Sequence, residues 1–205
     1  MTFRKLTFAF SMLMMLIFAG TAWADEGHQH EGDWIIGQGP TGQLALEADL
    51  DEAIELPLFS NAFYTGWSSN EPGLEALESD EPDEDFYTLG AGAEIYLKVV
   101  GIDAAFKGLE TNLGPIAFAA VNDEWYIGDE DAHNHAWWFI DSTDAGFDPL
   151  QTTWELQFQI IDLGTTGYTP SETYTATFTP VPEPATLALL TLGGLVTVRR
   201  RLGAR

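Results

Sequence analysis

Between its two terminal apolar runs the sequence predicts an all-β protein, an antiparallel β-sandwich, with a jelly-roll-like layout as one such arrangement. Apolar and polar residues alternate with period two in several stretches, most clearly over residues 152–161, which is the pattern of a strand with one buried and one solvated face. Gly, Pro, Asn and Asp punctuate these stretches about every ten residues, the rhythm of a sandwich or barrel. Helix is left only for short turns.

Taken in order, residues 34–37 and 43–48 read as the first two strands, the second with Leu44, Leu46 and Ala48 on one face and Gln43, Ala45 and Glu47 on the other. Residues 49–55 suit a short helical turn that Pro57 stops. Residues 58–73 are aromatic and turn-rich and read as a long ordered loop. There Trp67, beside Phe63 and Tyr64, is either a plug folded onto the core or a sugar-stacking platform, the plug being the commoner use. Residues 86–89 and 94–100 read as a strand pair around Gly90 and Gly92, with Ile95, Leu97 and Val99 inward. Residues 102–106, 115–121 and 124–127 are further short strands. The strongest strand, residues 152–161, places Trp154, Leu156, Phe158 and Ile160 on one face. With residues 172–179, which turn Tyr174, Ala176 and Phe178 inward, it forms a hairpin that packs one face on a core.

The two ends carry addresses. Arg4 and Lys5 precede an apolar run at residues 8–19, and Ala22-Trp23-Ala24 supplies a small-residue cleavage site, so residues 1–24 read as a secretory signal peptide and the mature chain begins at Asp25. At the other end Pro182-Glu183-Pro184 is followed by an apolar run of 14 residues (185–198) and by Arg199, Arg200 and Arg201. As a helix that run reaches about 21 Å, short of the roughly 30 Å hydrocarbon core, which suits transient membrane insertion better than a permanent transmembrane segment. The arginines keep the terminus cytoplasmic. In this order the three parts resemble the PEP-CTERM sorting signal of Gram-negative bacteria. The resemblance covers residues 182–205 and implies cutting near the tripeptide by an exosortase-type protease, after signal peptidase has acted at the other end, with the body left at the cell surface or released outside it.

One acidic domain remains, residues 25–181, long enough to bury a sizeable core. It holds 31 acids against two lysines, Lys98 and Lys107, for a net charge near −29. Such a body repels phosphate backbones and anionic membrane surfaces, which excludes nucleic acid as a partner. Divalent cations, basic proteins and neutral or cationic exopolysaccharide are compatible with its field. The chain has no cysteine, so neither disulfides nor thiol chemistry contribute.

All four histidines fall in two H-x-H pairs, His28 with His30 and His133 with His135. Residues at i and i+2 share a face of an extended chain, and paired imidazoles suit a transition metal such as Zn or Cu. The competing reading is a solvated polar start for the first pair and a turn that packs or hydrogen-bonds for the second. Residues 78–85 hold six acids in eight positions, and Asp80, Asp83 and Asp85 are candidate Ca²⁺ ligands. No EF-hand spacing accompanies them, and a solvated acidic loop explains the run equally. Asp141, Asp144 and Asp148 either ligate a cation or cap backbone amides as Asx-turns, the turn being the commoner.

No nucleophilic Cys, G-x-S-x-G elbow or H-E-x-x-H occurs, and no catalytic set stands out. The His-rich acidic start, residues 83–89, the His133-x-His135 segment, residues 144–149 and the closing hairpin are together similar to a group of exported, PEP-CTERM-tagged proteins of planctomycete-type bacteria. That resemblance implies an exported all-β domain and supplies no activity. The expected function is therefore a non-enzymatic protein of the cell surface or extracellular matrix that binds divalent cations. The alternative is a metal-dependent enzyme acting on surface polysaccharide, with the histidines as ligands.

Overall fold

A computed structural model describes residues 32–181. These residues form fourteen strands and no helix: β1 (Trp34–Gln38), β2 (Leu44–Glu47), β3 (Ile54–Leu56), β4 (Leu58–Ser60), β5 (Thr65–Ser69), β6 (Leu74–Ala76), β7 (Ile95–Ile102), β8 (Phe106–Leu109), β9 (Ile116–Phe118), β10 (Glu124–Gly128), β11 (His133–Asn134), β12 (Trp137–Asp141), β13 (Trp154–Asp162) and β14 (Tyr174–Pro180). They assemble into three sheets, ordered β11-β6-β1-β2, β10-β7-β13-β14-β3 and β4-β5-β12-β8-β9. Among the described residues no helix is long and apolar enough to cross a membrane. The expected signal peptide (residues 1–24) and sorting segment (residues 182–205) lie outside the described residues.

The period-two pattern becomes burial directly. Along β13 Trp154, Leu156, Phe158 and Ile160 are buried while Glu155 and Gln157 alternate outward, and the strand pairs with β14 in the expected hairpin, Leu156 opposite Ala176. On its other side β13 pairs with β7, where the register slips by one residue at Gln157/Phe158 and leaves Val100 as the extra residue of a bulge.

One core serves all three sheets. Trp138 of β12 joins them: its ring centroid lies 5.5 Å from Trp34 of β1 and 5.5 Å from Phe178 of β14. Its indole N–H donates to the Pro72 carbonyl at 2.8 Å, which satisfies the polar edge a buried tryptophan brings with it.

Several expectations are corrected. Two pairings are parallel rather than antiparallel, β1 with β6 and β14 with β3, because strands distant in sequence complete the sheets. Residues 49–55 form no helical turn; Asp49 Oδ1 accepts the Asp51 N–H as an Asx-turn, and β3 follows at once. The loop over residues 58–73 contains β4 and β5, antiparallel partners that extend the sheet of β12. Residues 86–89 do not pair with residues 94–100. Phe86 and Tyr87 only bridge to Glu81 and Gln38, while β7 lies between β10 and β13. Residues 102–106 are split by a turn in which Ala105 has φ +67° and the Phe106 N–H donates to Asp103. Of residues 115–121 only Ile116–Phe118 is strand.

Candidate metal centre

The second H-x-H pair sits on β11, a two-residue strand held against β6 with His133 opposite Glu75 and Asn134 opposite Leu74. Asn134 anchors this short strand by donating from Nδ2 to the Ile127 carbonyl at 3.1 Å and accepting the His135 N–H at Oδ1. On its other edge β6 runs parallel to β1, Ile35 opposite Glu75. This pairing brings Asp33, the residue before β1, beside the two histidines.

Asp33 is held from both sides of its peptide: the Gly73 N–H donates to its Oδ1 at 2.7 Å, and the Trp34 N–H donates to the Gly73 carbonyl at 3.0 Å. Oδ2 is turned toward the imidazoles, 3.3 Å from His133 Nε2 and 3.8 Å from His135 Nε2. It is buried and accepts no hydrogen bond. The two Nε2 atoms are 2.9 Å apart. A centre about 2.0–2.1 Å from all three atoms, the Zn–N and Zn–O range, can be placed within these edges.

The surroundings orient His135. Its Nδ1 lies 2.9 Å from the Asn70 carbonyl, and a carbonyl only accepts, so in the neutral ring Nδ1 carries the proton and the Nε2 lone pair faces Asp33 and His133. A second partner of this kind on the far nitrogen is the usual arrangement for a metal-bound imidazole. Space for the ring depends on Gly73, where a Cβ would fall 2.5–2.8 Å from His135 ring atoms. The arrangement offers two imidazole nitrogens and one carboxylate oxygen, the donor set of a three-ligand zinc site or a facial triad.

The other candidates separate. His28 and His30 lie outside the described residues. Asp33, which completes the donor set, was not singled out from the sequence, since one acid among 31 carries no local signal and its proximity depends on the β1–β6–β11 pairing. Within the acidic stretch Asp80 Oδ1 accepts both the amide and the hydroxyl of Thr88 at 2.9 Å, and these bonds hold its pKa below the ordinary carboxylate value. Among the described residues the oxygens of Asp80, Asp83 and Asp85 do not converge as a group; those of Glu47, Glu81 and Glu84 do, within 4.8 Å.

Asp141, Asp144 and Asp148 are Asx-turn acceptors, for the amides of Thr143, Gly146 and Leu150. Two of them also share a cation supplied by the chain itself: Lys107 Nζ lies 2.8 Å from Asp141 Oδ2 and 2.9 Å from Asp144 Oδ2. Burial alone would lower the Lys107 pKa, but its hydrogen bonds to the two aspartates outweigh that and raise it. Burial would raise Asp141, yet Lys107 and Thr143 hold it below the usual range. Asp144 is lowered by the Gly146 amide and then by Lys107. Trp67 is partly buried against the core, stacked on Phe147 with centroids 6.0 Å apart, and Phe147 in turn stacks on Trp154 at 5.8 Å.

Comparison with known proteins places one segment. Residues 180–201 match the model of the PEP-CTERM protein-sorting motif. The motif implies an exported, exosortase-processed surface protein of a Gram-negative bacterium. No curated protein and no solved structure matches the chain.

Proposed function

We propose that the exported domain is a non-enzymatic β-sandwich of the cell surface or matrix that holds one divalent transition metal, Zn²⁺ or Cu²⁺, through His133, His135 and Asp33. The observation that carries this reading is the buried Asp33 Oδ2, which accepts no hydrogen bond and faces two Nε2 atoms at 3.3 and 3.8 Å. A buried carboxylate oxygen that accepts no hydrogen bond is costly, and a cation held by it and both imidazoles relieves it. The first H-x-H pair, His28 and His30, stays a candidate for further donors on its sequence pattern alone. Three sheets around one core support the sandwich. The similarity to exported proteins of planctomycete-type bacteria, and exopolysaccharide as the neighbour of an exported acidic body, belong to this same reading.

The test is metal analysis of the untagged exported protein beside Asp33→Ala. The reading expects about one equivalent of Zn or Cu per chain, reduced at least tenfold in affinity by the substitution, since removing even an orienting partner of a metal ligand costs 10–100-fold. A metal-free protein that takes up neither ion stoichiometrically would overturn it. A metal with an exchangeable coordination position, together with hydrolysis of surface polysaccharide, would favour the enzymatic alternative instead.

A further inference from the structure

Beside His133 lies a cavity of about 360 Å³ bounded by β6, by residues 88–89 and by the turn leading into β11. Its wall is acidic: Glu75, Glu78, Glu130 and Asp131 all line it, with His133 at one end. Glu75 is the unusual member. It stands on β6, only 9% exposed, and its Oε2 is buried with no hydrogen-bond partner. A carboxylate in that position needs a donor. The two lysines among the described residues are committed elsewhere, Lys98 with Glu124 and Lys107 with Asp141 and Asp144, which leaves Glu75 open to a cationic donor brought by a ligand.

The size of the cavity says what kind. Among the described residues the acid oxygens that converge within 4.8 Å are those of Asp33 with the His133 and His135 nitrogens, and those of Glu47, Glu81 and Glu84. The carboxylates of this wall are not among them, so a bare ion would not touch three at once. A volume of this order is that of a small-molecule site. We infer that the cavity takes an organic cation bearing a primary ammonium group, of the size of one amino sugar or a short diamine, with Glu75 as its anchoring carboxylate. An ammonium offers three donors: one answers Glu75, and Glu78, Glu130 and Asp131 around the wall supply attraction and further acceptors. The inference stands apart from the metal centre and uses none of its three donors except His133, which bounds the cavity.

Calorimetric titration of the exported protein with 1,5-diaminopentane, D-glucosamine and D-glucose, at matched ionic strength, tests it. The expected result is saturable one-site binding of an amine, no binding of glucose, at least tenfold weakening by Glu75→Gln, and a smaller loss, about threefold, by Glu78→Gln at the exposed rim. Glucosamine alone binding would identify an amino sugar; the diamine alone would identify a linear amine. Binding must persist after treatment with a chelator, which separates this result from the fate of the metal. Circular dichroism confirms that each variant is folded, and Glu78→Gln keeps the test decisive should Glu75→Gln fail to fold. Non-saturable heats from both amines, equal affinity for glucose and glucosamine, or unchanged affinity in the folded variants would overturn the assignment.

Discussion

Replacing Lys107 by Met should destabilise the domain through the acids it leaves behind. The ammonium sits in the sheet, β8 against β12 with Lys107 opposite Phe139, and its side chain is 15% exposed beside Asp141 at 11% and Asp144 at 31%. Removing one partner of a fully buried pair costs about 3–5 kcal/mol because the other charge is stranded. Partial solvent access at Asp144 and the two Thr143 bonds that remain on Asp141 Oδ1 reduce this to about 2–3 kcal/mol. For a domain of this size that is a fall in Tm of about 4–12 °C.

The effect has a pH window. Asp141 and Asp144 are held below their unfolded value of 3.8, so their contribution is present above that pH and is lost as pH falls through the lower folded values. Lys107 is raised above 10.5, so its contribution is complete below that pH and is lost as pH rises through the folded value. Wild type and Lys107→Met should therefore differ fully between about pH 4 and pH 10 and converge at acid pH. Thermal unfolding followed by circular dichroism at pH 7 and pH 2.5 is the assay, with Lys107→Met/Asp141→Asn expected to regain part of the loss. A difference below about 0.5 kcal/mol at pH 7, the size of an ordinary surface change, or one undiminished at pH 2.5, would refute the argument.

Gly73→Ala should lower metal affinity at least tenfold, because the new Cβ meets the His135 ring at 2.5–2.8 Å and the ring must turn from Asp33; competition with a chromophoric chelator measures this, and unchanged affinity would mean that His135 is not a ligand. The intact mass of the exported protein should correspond to a chain from Asp25 to near Pro182, and a product still carrying Arg199, Arg200 and Arg201 would show that the terminal processing does not occur.

What could be seen in advance was whatever is local. The alternation in β13 and β14 is set by side chains two residues apart, and so it was legible, as were the inward Ile95, Leu97 and Val99 of β7. The partners of a strand are not local. Nothing in residues 34–38 announces that they pair in parallel with residues 74–76, and without that pairing Asp33 is one acid beside a polar start. The same limit hid β4 and β5, whose short aromatic and serine-rich segments look like loop until β12 lies beside them. His133 and His135 could be picked out because both members of the pair lie within three residues. Glu75 could not, since its interest lies in being buried and unpartnered. Lys107 was visible only as one of two lysines, and its place between Asp141 and Asp144 follows from the register of β8 on β12.

The last strand has a mechanical consequence. β14 lies inside its sheet, with β13 antiparallel on one side and β3 parallel on the other, and the ladder is closed by the Val181 N–H donating to the Leu56 carbonyl at 2.8 Å. The matched sorting motif begins at residue 180, within the strand itself. Drawing β14 out of the sheet therefore means breaking its hydrogen bonds to β13 on one edge and to β3 on the other.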